Sequence, residues 1–232
     1  MTCKQETANL PSDAWETGLA GGCALNIRSP GRPRDMEKRE AIIDAAQTLF
    51  SERGVEGVSI EAIAAASGVS KVTVYSHFGD KAAIFRSMIQ RETDRLGRVI
   101  AETAPNDGTL EDRLIHFGVP LLTMLSAPCH VSLGRTMTIE ATRNPDIGRC
   151  FYDAGPGRTL DLLVDLLNDA VSRGELRLDN PRHAAEDLVS LWFGFRMMKR
   201  SYFPQSCAQD AAELHAQIAH GTKTFLRAYG PR

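Results

Sequence analysis

The spacing of small and apolar residues between positions 60 and 78 constrains the fold of this chain more than any other feature. Ala64 is small enough to let two short helices cross closely, and Gly68 accepts the left-handed backbone that a tight turn requires. Six residues after this glycine, Val74 returns to the apolar inner face. The spacing predicts a helix-turn-helix whose second helix keeps its polar side chains in solvent.

Serine residues precede both of these helices. Ser59 is placed to accept a hydrogen bond from the first helix's free backbone N–H groups, and Ser70 can cap the second helix, which we expect from Lys71 to His77. Small polar, basic and aromatic groups on that helix can contact base edges and phosphates in a DNA major groove. The same spacing also fits an αα-hairpin with a solvated face, because helix-turn-helix geometry occurs in proteins that do not bind DNA.

The remaining chain carries apolar residues at helical spacing. A first predicted helix ends at Gly54, a long one begins near Asp80, and the helical pattern of apolar residues continues from residue 110 to the end. No segment shows a convincing alternation of apolar and polar residues, which would indicate a β-strand. We expect an all-α protein with a homeodomain-like three-helix domain and a larger helical domain. The predicted boundaries are an N-terminal tail at 1–34, a DNA-binding domain at 35–82 and a helical ligand-binding and dimerisation domain at 83–232.

The charge distribution is compatible with DNA binding, and the motifs argue against an enzyme or a metal-binding protein. The net charge is only −2, but residues 28–98 hold 12 Lys/Arg against 10 Asp/Glu, whereas the remainder holds 15 against 19. The N-terminal part is therefore mildly basic, which is compatible with DNA contact. There is no Gly-rich phosphate loop, nucleophile elbow or metal-site histidine spacing, so we expect no catalysis, no cofactor and no metal.

The cysteine pattern and hydropathy bear on the compartment. Five cysteines without a C-x-x-C pair form neither a disulfide framework nor a zinc pattern. No apolar run approaches the roughly 20 residues of a membrane helix. We expect a cytoplasmic protein with reduced thiols and no membrane partner. A redox sensor working through Cys129 or Cys150 is an alternative.

A longer pattern is more specific than the spacing alone. It comprises AIIDAAQTLF at 41–50, Gly54, SIEAIA at 59–64, ASGVSKVTVYSHF at 66–78, Lys81 and Phe85. This pattern resembles the TetR family of regulators. The resemblance implies a three-helix DNA-binding domain joined to a helical ligand-binding and dimerisation domain.

The resemblance also implies DNA contacts for individual residues around the second helix. They are Ser59, Ser70, Lys71, Val72, Thr73, Tyr75, Ser76, His77 and Lys81. His77 has an alternative role as an aromatic wedge packed against the first helix. Ahead of that helix, Arg32 and Arg34 lie in a Gly-Arg-Pro-Arg arm, which we expect to follow the minor groove.

The C-terminal part looks like the AefR-like subgroup, on the stretch 135–146 with Phe151-Tyr152 and Gly155-Pro156. This implies a small-molecule pocket and a homodimer formed by helices near 181–200 and 209–228. Candidate pocket residues are Phe117, Met124, Met137, Phe151, Trp192 and Phe195, with His116, His130 or Arg135 as polar anchors. We expect a ligand-responsive repressor of a palindromic operator in double-stranded DNA. A helical interaction module that has lost DNA binding is the alternative.

Overall fold

The computed structural model describes residues 34–102, 108–203 and 210–231, and every regular element in these ranges is an α-helix. This confirms the all-α prediction. The helices are α1 (Arg34–Arg53), α2 (Ile60–Ser67), α3 (Lys71–Phe78), α4 (Lys81–Glu102), α5 (Leu110–Ser126), α6 (Pro128–Arg143), α7 (Pro145–Ala154), α8 (Pro156–Ser172), α9 (Pro181–Tyr202) and α10 (Ala211–Tyr229).

The ends of the first three helices follow the local sequence. Gly54 and Gly68 have φ of 70° and 68°, a left-handed conformation that glycine adopts without steric cost. Ser59 Oγ accepts from the Ala62 N–H at 3.2 Å, and Ser70 Oγ accepts from the Thr73 N–H at 3.1 Å. These caps confirm the predicted turn and fix the direction in which α3 leaves it.

The core beneath α1–α4 extends into α6 and α7. Phe85 of α4 meets Phe50 edge-on, with ring centroids 5.9 Å apart, and stacks on Phe151 of α7 at 6.4 Å. Met137 and Ile147 are buried in the same cluster. The predicted DNA-binding domain and the following helices therefore share apolar packing.

A second centre of packing lies between α5, α9 and α10. Trp192 is fully buried, its indole Nε1 donates to the Thr222 hydroxyl at 3.0 Å, and its ring stacks on Phe117 at 6.3 Å. Gly118 and Gly221 face it so closely that an added Cβ would lie 3.1 and 3.0 Å from indole carbons. Trp192 is therefore tightly packed within the core.

Helix α9 is broken at Gly194, where φ is 50° and ψ is −161°. The Gln217 side chain of α10 donates to the carbonyl of Trp192 and, at 3.3 Å, to that of Phe193. The sequence periodicity predicts one continuous helix with a single apolar face in this region. The break instead leaves Phe195 85% exposed in the single chain, so the structure does not place it against an enclosed pocket, and its role in lining one stays a prediction.

No described helix is by itself long and apolar enough to cross a membrane. Helices α5 and α6 together pass the same test of length and composition, but they meet at a bend of 72°. Much of α5 is buried, including Leu114, Leu121 and Leu122.

Candidate nucleic-acid interface

Helix α3 turns one face into the core and the other into solvent. Val74 is buried and anchors the helix, whereas Val72 and Tyr75 are 77% and 47% exposed. Thr73 is half-buried, and the exposed Ser76 donates its hydroxyl to the Thr73 carbonyl at 2.8 Å. The outward face thus offers methyl, phenol and hydroxyl groups, which can meet thymine methyls, base edges and phosphates.

The N-terminal ends of α2 and α3 begin at exposed serines, Ser59 and Ser70. The positive end of a helix dipole and its free N–H groups favour an anion such as a phosphate. Both hydroxyls already accept a backbone N–H from their own helix, and Ser70 Oγ is also 2.8 Å from Thr73 Oγ1. The serines therefore shape the helix ends while remaining accessible to a ligand.

Both predicted DNA-contacting lysines have acidic neighbours. Lys71 Nζ forms an ion pair with Glu61 and lies 5.7 Å from the centre of the Tyr75 ring. Its hydrogen bond and charge interaction with Glu61 raise the pKa of Lys71 and lower the pKa of Glu61. Lys81 Nζ lies 3.6 Å from Glu56 Oε2 and 3.5 Å from the Glu56 carbonyl. An anion that binds either lysine must therefore compete with these carboxylates.

His77 differs from the other candidates because its side chain is only 11% exposed. Its Nε2 is 3.2 Å from Asp35 Oδ1 of α1, and its ring lies beside Phe78. This geometry favours the wedge against the first helix over direct DNA contact. Of the arm, Arg32 lies outside the described residues; Arg34 begins α1, but its side chain is not described.

Two family models match this chain. The model for bacterial regulatory proteins of the tetR family matches residues 42–88, and the C-terminal domain of AefR-like transcriptional repressors matches residues 112–231. The chain belongs to the TetR family of transcriptional regulators. TetR-family regulators bind DNA and act as dimers, and the family consists of regulators rather than enzymes.

Two solved structures and one related regulator agree with this assignment. A TetR-family transcriptional regulator from Mesorhizobium loti has a TM-score of 0.73 and 28% identity, covering 86% of this chain and all of that one. The flavonoid-responsive regulator FrrA has a TM-score of 0.69 and 32% identity, covering 85% and 99%. The transcriptional regulator UidR of Escherichia coli is 26% identical over 73% of this chain and 83% of its own.

The structure of this TetR-family regulator does not gather the six candidate effector residues in one place. Met137 and Phe151 pack in the core shared with α1–α4, whereas Phe117 and Trp192 stack in the second centre. Met124 is buried in α5. Met137 and Trp192 are thus integral to two different centres of packing, and the six residues do not line one shared cavity in this structure; their role in effector binding stays a prediction.

The polar candidates differ in their surroundings. His116 Nε2 lies 3.1 Å from the Ile100 carbonyl, and Arg135 is exposed. Burial lowers the pKa of His130, whose Nδ1 is 3.4 Å from Cys129 Sγ. Burial also raises the pKa of the Cys129 thiol, which disfavours the reactive thiolate. In the described part of the chain, no three His, Cys or acidic side chains lie close enough to hold a metal.

Sequence reasoning missed two residues that shape the interface. One is Glu61. The other is Arg91 of α4, whose guanidinium reaches Asp44 at 2.6 Å, Gln47 at 2.6 Å and Glu40 at 3.2 Å. The spacing of these three α1 residues places them on one helical face, which was the available signal. Arg91 ties α4 to the helix that supports the helix-turn-helix.

Proposed function

We propose that this TetR-family regulator is a repressor whose two α3 helices bind successive major grooves of a palindromic operator. The observation that carries the proposal is the exposed face of α3 above the buried Val74. Lys71, Val72 and Thr73 begin the helix, where a recognition helix contacts bases. Tyr75 and Ser76 reach the flanking backbone. The AefR-like family description, which names a transcriptional repressor, supports the sign of regulation.

The proposed dimer is formed by α9 and α10 of both protomers. Within one protomer these helices pack together, yet α9 leaves large apolar side chains exposed. They are Leu191, Phe195, Met198 and Tyr202. Burying such side chains in a shared four-helix interface removes them from water and places two copies of α3 about a two-fold axis.

Helix α4 offers the physical connection between effector and operator. Its first half packs Ile84, Phe85 and Met88 under the helix-turn-helix. In its second half, the Thr93 hydroxyl donates to the Ala154 carbonyl of α7 at 3.1 Å. A small molecule that displaces α4 would move α3 with it, which would change the distance between the two recognition helices. The effector must bind the DNA-incompetent form better, by a coupling of about 1–3 kcal/mol.

The DNA-binding proposal is tested by titrating duplex DNA from upstream of the protein's own gene beside a scrambled duplex at several salt concentrations. We expect tight binding to the first duplex, a steep fall with salt, and weakening in Lys71→Ala/Tyr75→Phe. If neither duplex is preferred, fragments bound by the protein are selected from the whole genome. The proposal fails if no fragment is bound more tightly than scrambled DNA.

The effector proposal is tested with the operator complex so obtained. FrrA is named as flavonoid-responsive, so a panel of flavonoids provides the first probes of an apolar, aromatic effector. We expect one of them to lower operator affinity about 5- to 150-fold and, by linkage, to bind the operator-bound protein that much more weakly. A complex unchanged at saturating flavonoid would exclude this class of effector.

A further inference from the structure

An acidic side chain lies within the surface that is proposed to meet DNA. Glu61 is in the first turn of α2, two residues after Ser59, and its carboxylate pairs with Lys71 at the start of α3. The two side chains are exposed, at 61% for Glu61 and 51% for Lys71. A carboxylate at this position repels phosphates, so it opposes the general attraction between protein and DNA.

The ammonium of Lys71 has two neighbours. Glu61 accepts one of its hydrogen bonds, and the centre of the Tyr75 ring lies 5.7 Å from Nζ. A lysine ammonium has three donors, so a further acceptor can bind while the pair with Glu61 persists. The local charge of Lys71 is then cancelled, but its ability to donate is retained.

We propose that Glu61 determines specificity by converting Lys71 from a phosphate-binding cation into a donor to a base edge in the major groove. This inference rests on the proposed placement of α3 in that groove. Glu61 thereby lowers affinity for arbitrary DNA more than it lowers affinity for the operator.

The physical reason is the difference between the two acceptors. A phosphate carries a full charge, so its attraction to Lys71 is offset by repulsion from the adjacent Glu61 carboxylate. Guanine N7 and O6 are uncharged acceptors that bind a lysine ammonium directly, and the carboxylate repels them far less. Non-specific complexes depend almost entirely on phosphate contacts, so they lose more from the presence of Glu61.

The experiment measures binding of the full-length dimer to operator and scrambled duplexes between 50 and 200 mM salt. In Glu61→Gln, Lys71 becomes free to neutralise a phosphate. We expect tighter binding to the scrambled duplex. The plot of log affinity against log salt concentration should also become steeper, its slope changing by about 0.9 per protomer. Across this fourfold range of salt, each added contact corresponds to about a 3.5-fold greater loss of affinity. The ratio of operator to scrambled affinity should fall.

Two matched variants separate this mechanism from a change of overall charge. Glu52→Gln removes the same charge from the same domain, at an exposed site near the end of α1 and outside the predicted DNA contacts. We expect it to leave the operator preference unchanged. In a Lys71→Gln background, Glu61→Gln should no longer steepen the salt dependence, because no cation is released. Urea unfolding checks that all variants remain folded.

Each contrary result identifies what has failed. Unchanged binding of Glu61→Gln to the scrambled duplex overturns the role of Glu61, as does an equal effect in the Lys71→Gln background. A selective loss of operator affinity in Glu61→Gln also overturns it, since the carboxylate would then contact a base itself. If Lys71→Gln alone leaves operator binding unchanged, the placement of α3 is wrong and the inference falls with it.

Discussion

At the scale of single residues, the packing around Trp192 depends on the absence of a side chain at Gly118. A Cβ at that position would lie 2.8 Å from Ile218 Cγ2 and 3.1 Å from the indole ring. We expect Gly118→Ala to lower the free energy of unfolding by about 1–3 kcal/mol, measured by urea unfolding at fixed protein concentration.

Gly134 provides the matched control for this substitution. It lies within α6, and an added Cβ there would meet nothing within 4 Å. Gly134→Ala should raise the free energy of unfolding by about 0.5–1 kcal/mol, because alanine loses less conformational freedom than glycine in a helix. A stability change of the same sign in both variants would contradict the account of the Trp192 site.

Half-buried His130 should make the folded state sensitive to acid. Burial lowers the pKa of His130 below its usual 6.5, and the charge of Glu92 offsets this only in part. Below about pH 6.5 the unfolded chain therefore binds more protons at this residue, so its contribution to stability falls as the pH decreases. We expect His130→Gln to lose less stability than the wild type between pH 7.5 and 5.5, measured by urea unfolding.

The control for this pH dependence is His215→Gln, at an exposed site on α10. It should follow the wild type over the same range. An equal loss of stability in the wild type and in His130→Gln would show that His130 does not contribute to the acid sensitivity.

At the scale of elements, α1 is attached to α4 through Arg91 as well as through apolar packing. One guanidinium spans Glu40, Asp44 and Gln47, so it restrains successive turns of α1. We expect Arg91→Met to lower stability by about 1 kcal/mol, since the contacts are only partly shielded from solvent, and to speed amide hydrogen exchange in α1. Arg98→Met, at an exposed site on the same helix, is the control. Unchanged exchange in α1 of Arg91→Met would contradict this role.

The helix-turn-helix was predictable because its determinants are local. Ser59, Gly68 and Ser70 act on backbone groups within a few residues of themselves, and the structure confirms each of these roles. The break at Gly194 was not predictable in this way. The carbonyls of Trp192 and Phe193 beside the break accept hydrogen bonds from Gln217, which is distant in sequence. A glycine within a helical pattern does not by itself indicate a break.

The tertiary neighbours of individual side chains were likewise not predictable from the local sequence pattern. His77 has the spacing of a DNA-contacting residue, but Asp35 of α1 faces it. Met137 and Phe151 are residue types that commonly line apolar pockets, yet here they pack in the core with Phe85. Periodicity identifies which residues are buried; tertiary contacts decide what they are buried against.

At the scale of the whole molecule, the core shared by α1–α4, α6 and α7 has a consequence for unfolding. Since Phe85, Met137 and Ile147 belong to one cluster, the helix-turn-helix cannot unfold without exposing apolar surface of α6 and α7. We expect amides of α1 and α6 to lose hydrogen-exchange protection at the same urea concentration. Loss of protection in α1–α3 at clearly lower urea would show that the two parts unfold independently.

The placement of α3 in the major groove is tested most directly by methylation interference on the operator fragment. Methyl groups on guanine N7 project into the major groove, where they block a helix that contacts the bases. The account predicts two interfering groups of guanines, related by two-fold symmetry and centred about one helical turn, roughly 34–36 Å, apart. Tight operator binding without any interference from N7 methylation would contradict it.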